Sequence, residues 1–106
     1  MISYNINRVH SNILLKFDET KIEEKSNKKF GNYFEISIVS ENKKVRAIIP
    51  IKEIEKQDFN WYYFSNPLSD VSYLVERKSS IDNIADDIKD IFNKNRFSED
   101  YLKENK

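Results

Sequence analysis

The chain has 106 residues, enough for one domain with a modest core. Eighteen basic residues balance 18 acidic ones and cysteine is absent, which argues against a general nucleic-acid binder and excludes a disulfide scaffold, a thiolate metal site and a cysteine nucleophile. Seven Phe, six Tyr and one Trp supply the large apolar side chains that a disordered chain lacks. The longest apolar run, Ala47 to Ile51, is too short to span a bilayer. Residues 1–5 lack the basic region and apolar core of a signal peptide. A cytoplasmic protein with no membrane contact is expected.

Taken in order, residues 2–7 alternate Ile2, Tyr4 and Ile6 with polar residues, which predicts a strand. Residues 12–18 repeat the period with Ile13, Leu15 and Phe17. A helix over 8–17 competes with that second strand but is opposed by several Asn and Ser. From Asp18 to Lys29 the only aliphatic residue is Ile22, which predicts a solvated loop or short helical turn. The Lys25–Lys29 cluster has no aromatic interleaving and reads as part of that loop rather than a phosphate site. Gly31 is the only glycine and suits a turn of positive φ.

Residues 33–39 and 45–49 form the clearest hairpin, with Phe34, Ile36 and Ile38 facing Val45, Ala47 and Ile49 across a 41–44 connection. Pro50 ends the ladder because it has no N–H. Ile51 and Ile54 suggest one or two helical turns over 51–57. Residues 59–65 read as an aromatic strand with Phe59, Trp61 and Tyr63 on one face and Asn60, Tyr62 and Phe64 on the other. Residues 66–70 form a proline turn, and 71–76 alternate as a strand. Ser79 or Ser80 caps a helix over 81–93, whose apolar positions are Ile81, Ile84, Ala85, Ile88, Ile91 and Phe92. Asp82 complements its dipole, with Lys94 and Arg96 near its far end. Ser98, stapled by Phe97 and Leu102, predicts a further helical turn before frayed C-terminal residues. The expected architecture is α+β: an antiparallel β-sheet of about 4–6 strands with a C-terminal amphipathic helix packed on one face.

Residues that carry chemistry are sparse. His10 is the only histidine, and Ser11 beside it points the other way in a strand, so no catalytic pair forms. One glycine excludes a glycine-rich phosphate loop. Metal binding would rest on carboxylates alone, so no metal or cofactor is expected, and no enzyme activity. Two surfaces stand out as partner-binding candidates. Asp82, Asp86 and Asp90 lie four apart with Asp87 beside them, and acid following acid costs the helix a little stability. This is a solvated face, a docking stripe for a basic partner or, last, a set of acids that holds a divalent cation or acts as acid and base. Trp61, Tyr62 and Tyr63 supply candidate anchors, against the alternative that they are core.

The span 61–102 resembles parts of small bacterial immunity proteins, the antidotes of contact-dependent growth inhibition and related polymorphic toxins. The resemblance lies in Trp61-Tyr62-Tyr63 before Asn66-Pro67, in Tyr73-Leu74-Val75-Glu76-Arg77, in the Ile81/Ile84/Ile88 helix, and in Arg96-Phe97 with Tyr101-Leu102. It implies a non-enzymatic antitoxin that binds a cognate toxin domain, often a basic nuclease, and blocks its active site. No functional residue transfers with it. A phage-encoded inhibitor of a host defence protein fits the same composition. A small RNA- or DNA-binding module using Lys25, Lys28, Lys29, Lys43, Lys44 and Arg46 is the rival of another class, and a structural subunit of a larger assembly is a third.

Overall fold

A computed structural model describes residues 2–40, 43–64 and 74–93. Helix α1 (Ile2–Leu14) is followed by β1 (Glu19–Asn27), β2 (Gly31–Ser40), β3 (Lys43–Pro50), β4 (Asp58–Phe64), β5 (Val75–Ser80) and α2 (Ile84–Asn93). The strands form one antiparallel sheet in the order β1-β2-β3-β4-β5. Both helices pack on the same sheet face, as one cluster joins Ile6, Val9 and Ile13 of α1 and Ile84, Ile88 and Ile91 of α2 to Ile36, Ala47 and Trp61. The expected α+β class and the helix on one face are present.

The N-terminal expectation is corrected. Residues 2–7 and 12–18 are not strands, because α1 takes the first 13 residues of that span. The period-two reading rests on Ile2, Tyr4 and Ile6, whereas Ile6, Val9 and Ile13 follow the helical period and are all buried. Tyr4 is left 62% exposed. The Asn residues that lower helix propensity are used as ties. Asn5 donates to the Ile54 carbonyl at 3.0 Å and Asn12 to the Ile81 carbonyl at 3.2 Å. Local propensity yields here to packing and to long-range hydrogen bonds.

The second correction is β1, which occupies the expected loop. Nine consecutive residues pair with β2, from Glu19 opposite Val39 to Asn27 opposite Gly31. An edge strand needs little apolar content, and Ile22 alone packs against the core. The positive φ expected at Gly31 is present, at 68°, and in the turn before it Asn27 Oδ1 accepts from the Phe30 N–H at 2.7 Å.

The β2–β3 hairpin forms with Phe34 opposite Ile49, Ile36 opposite Ala47 and Ile38 opposite Val45. Lys43 and Lys44 belong to β3 rather than to the connection. Pro50 closes the strand, and tight turns follow over 51–56, with N–H bonds from Glu53 to Pro50, Ile54 to Ile51 and Lys56 to Glu53. In β4, Phe59, Trp61 and Tyr63 are buried toward the helices.

The third correction concerns the entry to α2. Ser79 and Ser80 still belong to β5, residues 81–83 turn, and the helix begins at Ile84. Ser79 lies in the ladder opposite Phe59, and the residue before the helix is Asn83, whose carbonyl accepts the Asp87 N–H at 3.0 Å. The apolar stripe of the helix is as expected, with Ile84, Ala85, Ile88, Ile91 and Phe92 buried. Phe92 meets Phe17 at 5.3 Å between ring centroids, which ties the ends of the two helices. The proline turn, residues 71–73 of the following strand, and the Ser98 turn lie outside the described residues.

Candidate interaction surface

The sheet separates the predicted partner-binding residues. On the helical side, Asp82 and Asp86 are exposed but paired with the N-terminal segment: Arg8 of α1 bridges Asp82 at 2.7 Å, and Lys16, just past the helix, bridges Asp86 at 2.5 Å. Asp90 is half-buried and not free either. The stripe is therefore matched by Arg8 of α1 and by Lys16 in the turn that follows it. Of the stripe, Asp86 and Asp90 lie within α2, and the Lys16 bridge to Asp86 offsets part of their mutual repulsion.

Trp61 and Asp87 belong to the scaffold. Trp61 has no exposed surface, and its Nε1 donates to Ser79 Oγ at 2.9 Å. The Ser79 hydroxyl in turn donates to Asp87. This chain ties β4, β5 and α2 in one line and satisfies the indole N–H without water. Tyr63 is 3% exposed and stacks on Trp61 at 5.9 Å. Of the two readings of Trp61 and Tyr63, partner anchors or core, their burial places them in the core. One strand face had to fill the space under the helices, and these are its largest members.

Tyr62 points the other way, onto the sheet face that carries no described helix. It stands opposite Glu76 on β5 and packs on Phe30 at 4.8 Å. Phe30, Tyr33 and Ile48 form a second apolar cluster there, joined by Tyr62 and Leu74. Burial, then the Glu76 charge and hydrogen bond, raise the Tyr62 hydroxyl above its usual range. The phenol is a neutral donor at any physiological pH.

Beside this aromatic end lies a shallow polar depression lined by Lys21, Lys25, Glu35, Ser37, Lys44 and Arg46 among others. Its centre is Glu35, 5% exposed. Lys25 Nζ reaches Glu35 Oε2 at 3.0 Å and Arg46 reaches the same oxygen at 2.8 Å. Burial pushes the carboxyl up, but hydrogen bonds from Arg46 and Lys25 and their charges outweigh it, so Glu35 titrates below its ordinary value. A second buried acid, Glu53, receives Lys56 Nζ at 2.8 Å and the Asn60 N–H at 3.2 Å. The Lys56 hydrogen bond leads in lowering its pKa, against burial.

Sequence reasoning missed both acids. Glu35 sits among apolar neighbours, and its partners occupy diagonal positions on the flanking strands. Only the register brings them together, and it runs through β1, whose sequence lacks a strand's apolar alternation. The lysines of the rival reading divide: Lys25, Lys44 and Arg46 surround Glu35, while Lys28 and Lys29 line a separate hollow with Phe30 and Lys52.

His10 does no visible chemistry. Its Nε2 meets Thr20 Oγ1 at 2.8 Å and tethers α1 to β1. Among the described residues no group of three or more His, Asp or Glu is placed to hold a metal ion, and no helix is long and apolar enough to cross a membrane. The chain matches no family model, and neither a curated protein sequence nor a solved structure gives a significant match.

Proposed function

We propose that this protein is an antitoxin-type binding domain that neutralises a toxin domain, a basic nuclease by the resemblance of residues 61–102, and that the sheet face opposite the helices makes the contact. The observation that carries the choice of surface is the composition of that face. Lys21, Lys25, Lys44 and Arg46 alternate with Glu19, Glu23 and Glu35 next to a half-buried tyrosine. Interleaved signs suit a protein surface of complementary pattern. They suit a phosphate backbone poorly, because Glu35 stays ionised and cancels cations where a phosphate would need them. The acid stripe supports docking less well, since Arg8 and Lys16 already match Asp82 and Asp86.

Binding alone neutralises in this reading: the domain occludes the toxin's active site and performs no bond chemistry. A growth-rescue assay tests it. Co-expression with a candidate toxin domain, sought in the genes beside this one, should restore growth, and full toxicity in the presence of folded protein would refute the assignment. A nucleic-acid reading draws on Lys28, Lys29 and Lys52 around Phe30, a hollow with no acid in its lining. Filter retention of labelled RNA or DNA at low salt would favour it over the antitoxin reading.

A further inference from the structure

We propose that β1 pairs with β1 of a second copy of this chain, antiparallel and centred on Ile22, fusing two five-stranded sheets into one of ten strands. β1 is the outer strand of the sheet, and among the described residues nothing pairs with its free side. All nine of its residues run in unbroken register with β2, without proline or bulge. A regular edge of this length is a template for a further strand unless something blunts it.

The backbone is correctly aimed. The Asn32 carbonyl of β2 turns toward β3, accepting the Ile51 N–H at 3.0 Å. Alternation along β2 then directs Tyr33 and Glu35 toward β1, and through the register Lys25 and Glu23 toward β2. The intervening residues of β1, Thr20, Ile22 and Glu24, therefore present N–H and C=O outward. Centring the pair on Ile22 makes Ile22 opposite Ile22 a hydrogen-bonded pair, flanked on each side by Thr20 opposite Glu24.

The charges select this register. On the open face β1 carries Glu19, Lys21, Glu23 and Lys25, signs alternating. An antiparallel two-fold centred on Ile22 sets Glu19 against Lys25 and Lys21 against Glu23 of the other copy, four opposed pairs in all. Centring on Lys21 instead sets Lys21 against itself and Glu19 against Glu23. Centring on Glu23 sets Glu23 against itself and Lys21 against Lys25. Opposite charges directly across a ladder stabilise it and like charges oppose it, so the charges that would blunt an edge against other strands favour this one. The opposite edge lacks the property: β5 centred on Glu76, Arg77 or Lys78 sets that residue against its own copy.

The helical layer is consistent with the pairing. A two-fold perpendicular to the sheet leaves both copies of α1 on one face, and α1 lies against β1 through His10 and Thr20. Three of the four large apolar side chains exposed among the described residues belong to α1 or its end: Tyr4, Leu14 at 51% and Leu15 at 85%.

Sedimentation equilibrium over a concentration series tests the proposal. The wild-type mass should rise from 12.7 kDa toward twice that value, and the association should weaken with salt. Lys21→Glu sets acid against acid twice and should weaken self-association at least ~10-fold. The double variant Lys21→Glu/Glu23→Lys restores opposed signs and should recover it. Glu24→Pro removes an outward N–H, leaves the β1–β2 bonds intact, and should leave single chains with an unchanged melting curve. A single-chain mass at every wild-type concentration overturns the proposal. So does a dimer indifferent to both Lys21→Glu and Glu24→Pro, or a folded double variant that stays dissociated.

Discussion

Replacing Ser79 by alanine strikes the one hydroxyl that joins β4, β5 and α2. It accepts from Trp61 Nε1 at 2.9 Å and donates to Asp87. Ser79 is 5% exposed and Trp61 has no exposed surface, so water cannot take the place of the lost oxygen without opening the core. Leaving a buried N–H unpaired costs about 1–3 kcal/mol. The Asp87 side adds less, because that half-buried carboxylate can turn to solvent. A total of about 2–3 kcal/mol corresponds to a fall in melting temperature of roughly 10 °C for a domain of this size. Thermal and urea unfolding followed by circular dichroism measure it. Ser80→Ala, one residue on and pointing to the other face, should change stability by less than about 0.5 kcal/mol. The cycle with Trp61→Phe, which removes the donor, should show coupling of at least ~0.5 kcal/mol. A Ser79→Ala protein as stable as the wild type would refute the account of this chain as a structural tie.

Glu35→Gln tests the buried ion network through pH. The folded pKa of Glu35 is lowered, so its stabilising contribution is complete above the unfolded value of about 4.3 and disappears as pH falls through the lower folded value. Urea midpoints between neutral and acid pH should therefore converge for wild type and Glu35→Gln at the acid end and diverge at neutral pH; parallel curves would contradict this. Gly31→Ala should cost about 1–2 kcal/mol through backbone strain alone, since φ is +68° and an added Cβ meets nothing within 4 Å. Gly31→Asn should recover part of that in the same melting experiment. The Arg8–Asp82 pair, exposed on both sides, should contribute less than about 1 kcal/mol in a double-mutant cycle and vanish at high salt.

Much of the fold was legible because apolar spacing and burial coincide. The stripe from Ile84 to Phe92, the alternation of Phe34, Ile36 and Ile38, and that of Phe59, Trp61 and Tyr63 each have one period and one buried face. The failures have specific physical causes. In α1, two periods share Ile6, and the tie was broken by residues far away: Ile54 and Ile81 supply the carbonyls that Asn5 and Asn12 need. In β1 the strand is imposed by its neighbour, because β2 offers a hydrogen-bonding edge and nine residues, all but Ile22 polar or charged, accept it. The candidate site was misjudged for the same reason. An acid stripe reads as free until Arg8 and Lys16 appear opposite it, and those lie in the segment whose helix was not recognised. Tyr62 was placed correctly on the face away from the helices, but Glu35 beneath the neighbouring cations required the register of three strands.

The most direct test of the proposed function is a calorimetric titration of a candidate toxin domain, taken from a gene beside this one, with two sets of variants. One set, Lys44→Glu with Ser37→Tyr, alters charge and shape on the open sheet face; the other, Asp82→Asn with Asp86→Asn, removes the acid stripe. Binding through the open face predicts that the first set weakens association at least ~100-fold, or about 2.7 kcal/mol, while the second leaves the affinity within about threefold of wild type. The reverse pattern, with tight binding surviving the sheet substitutions and lost with the two aspartates, would contradict it and place the partner on the helices.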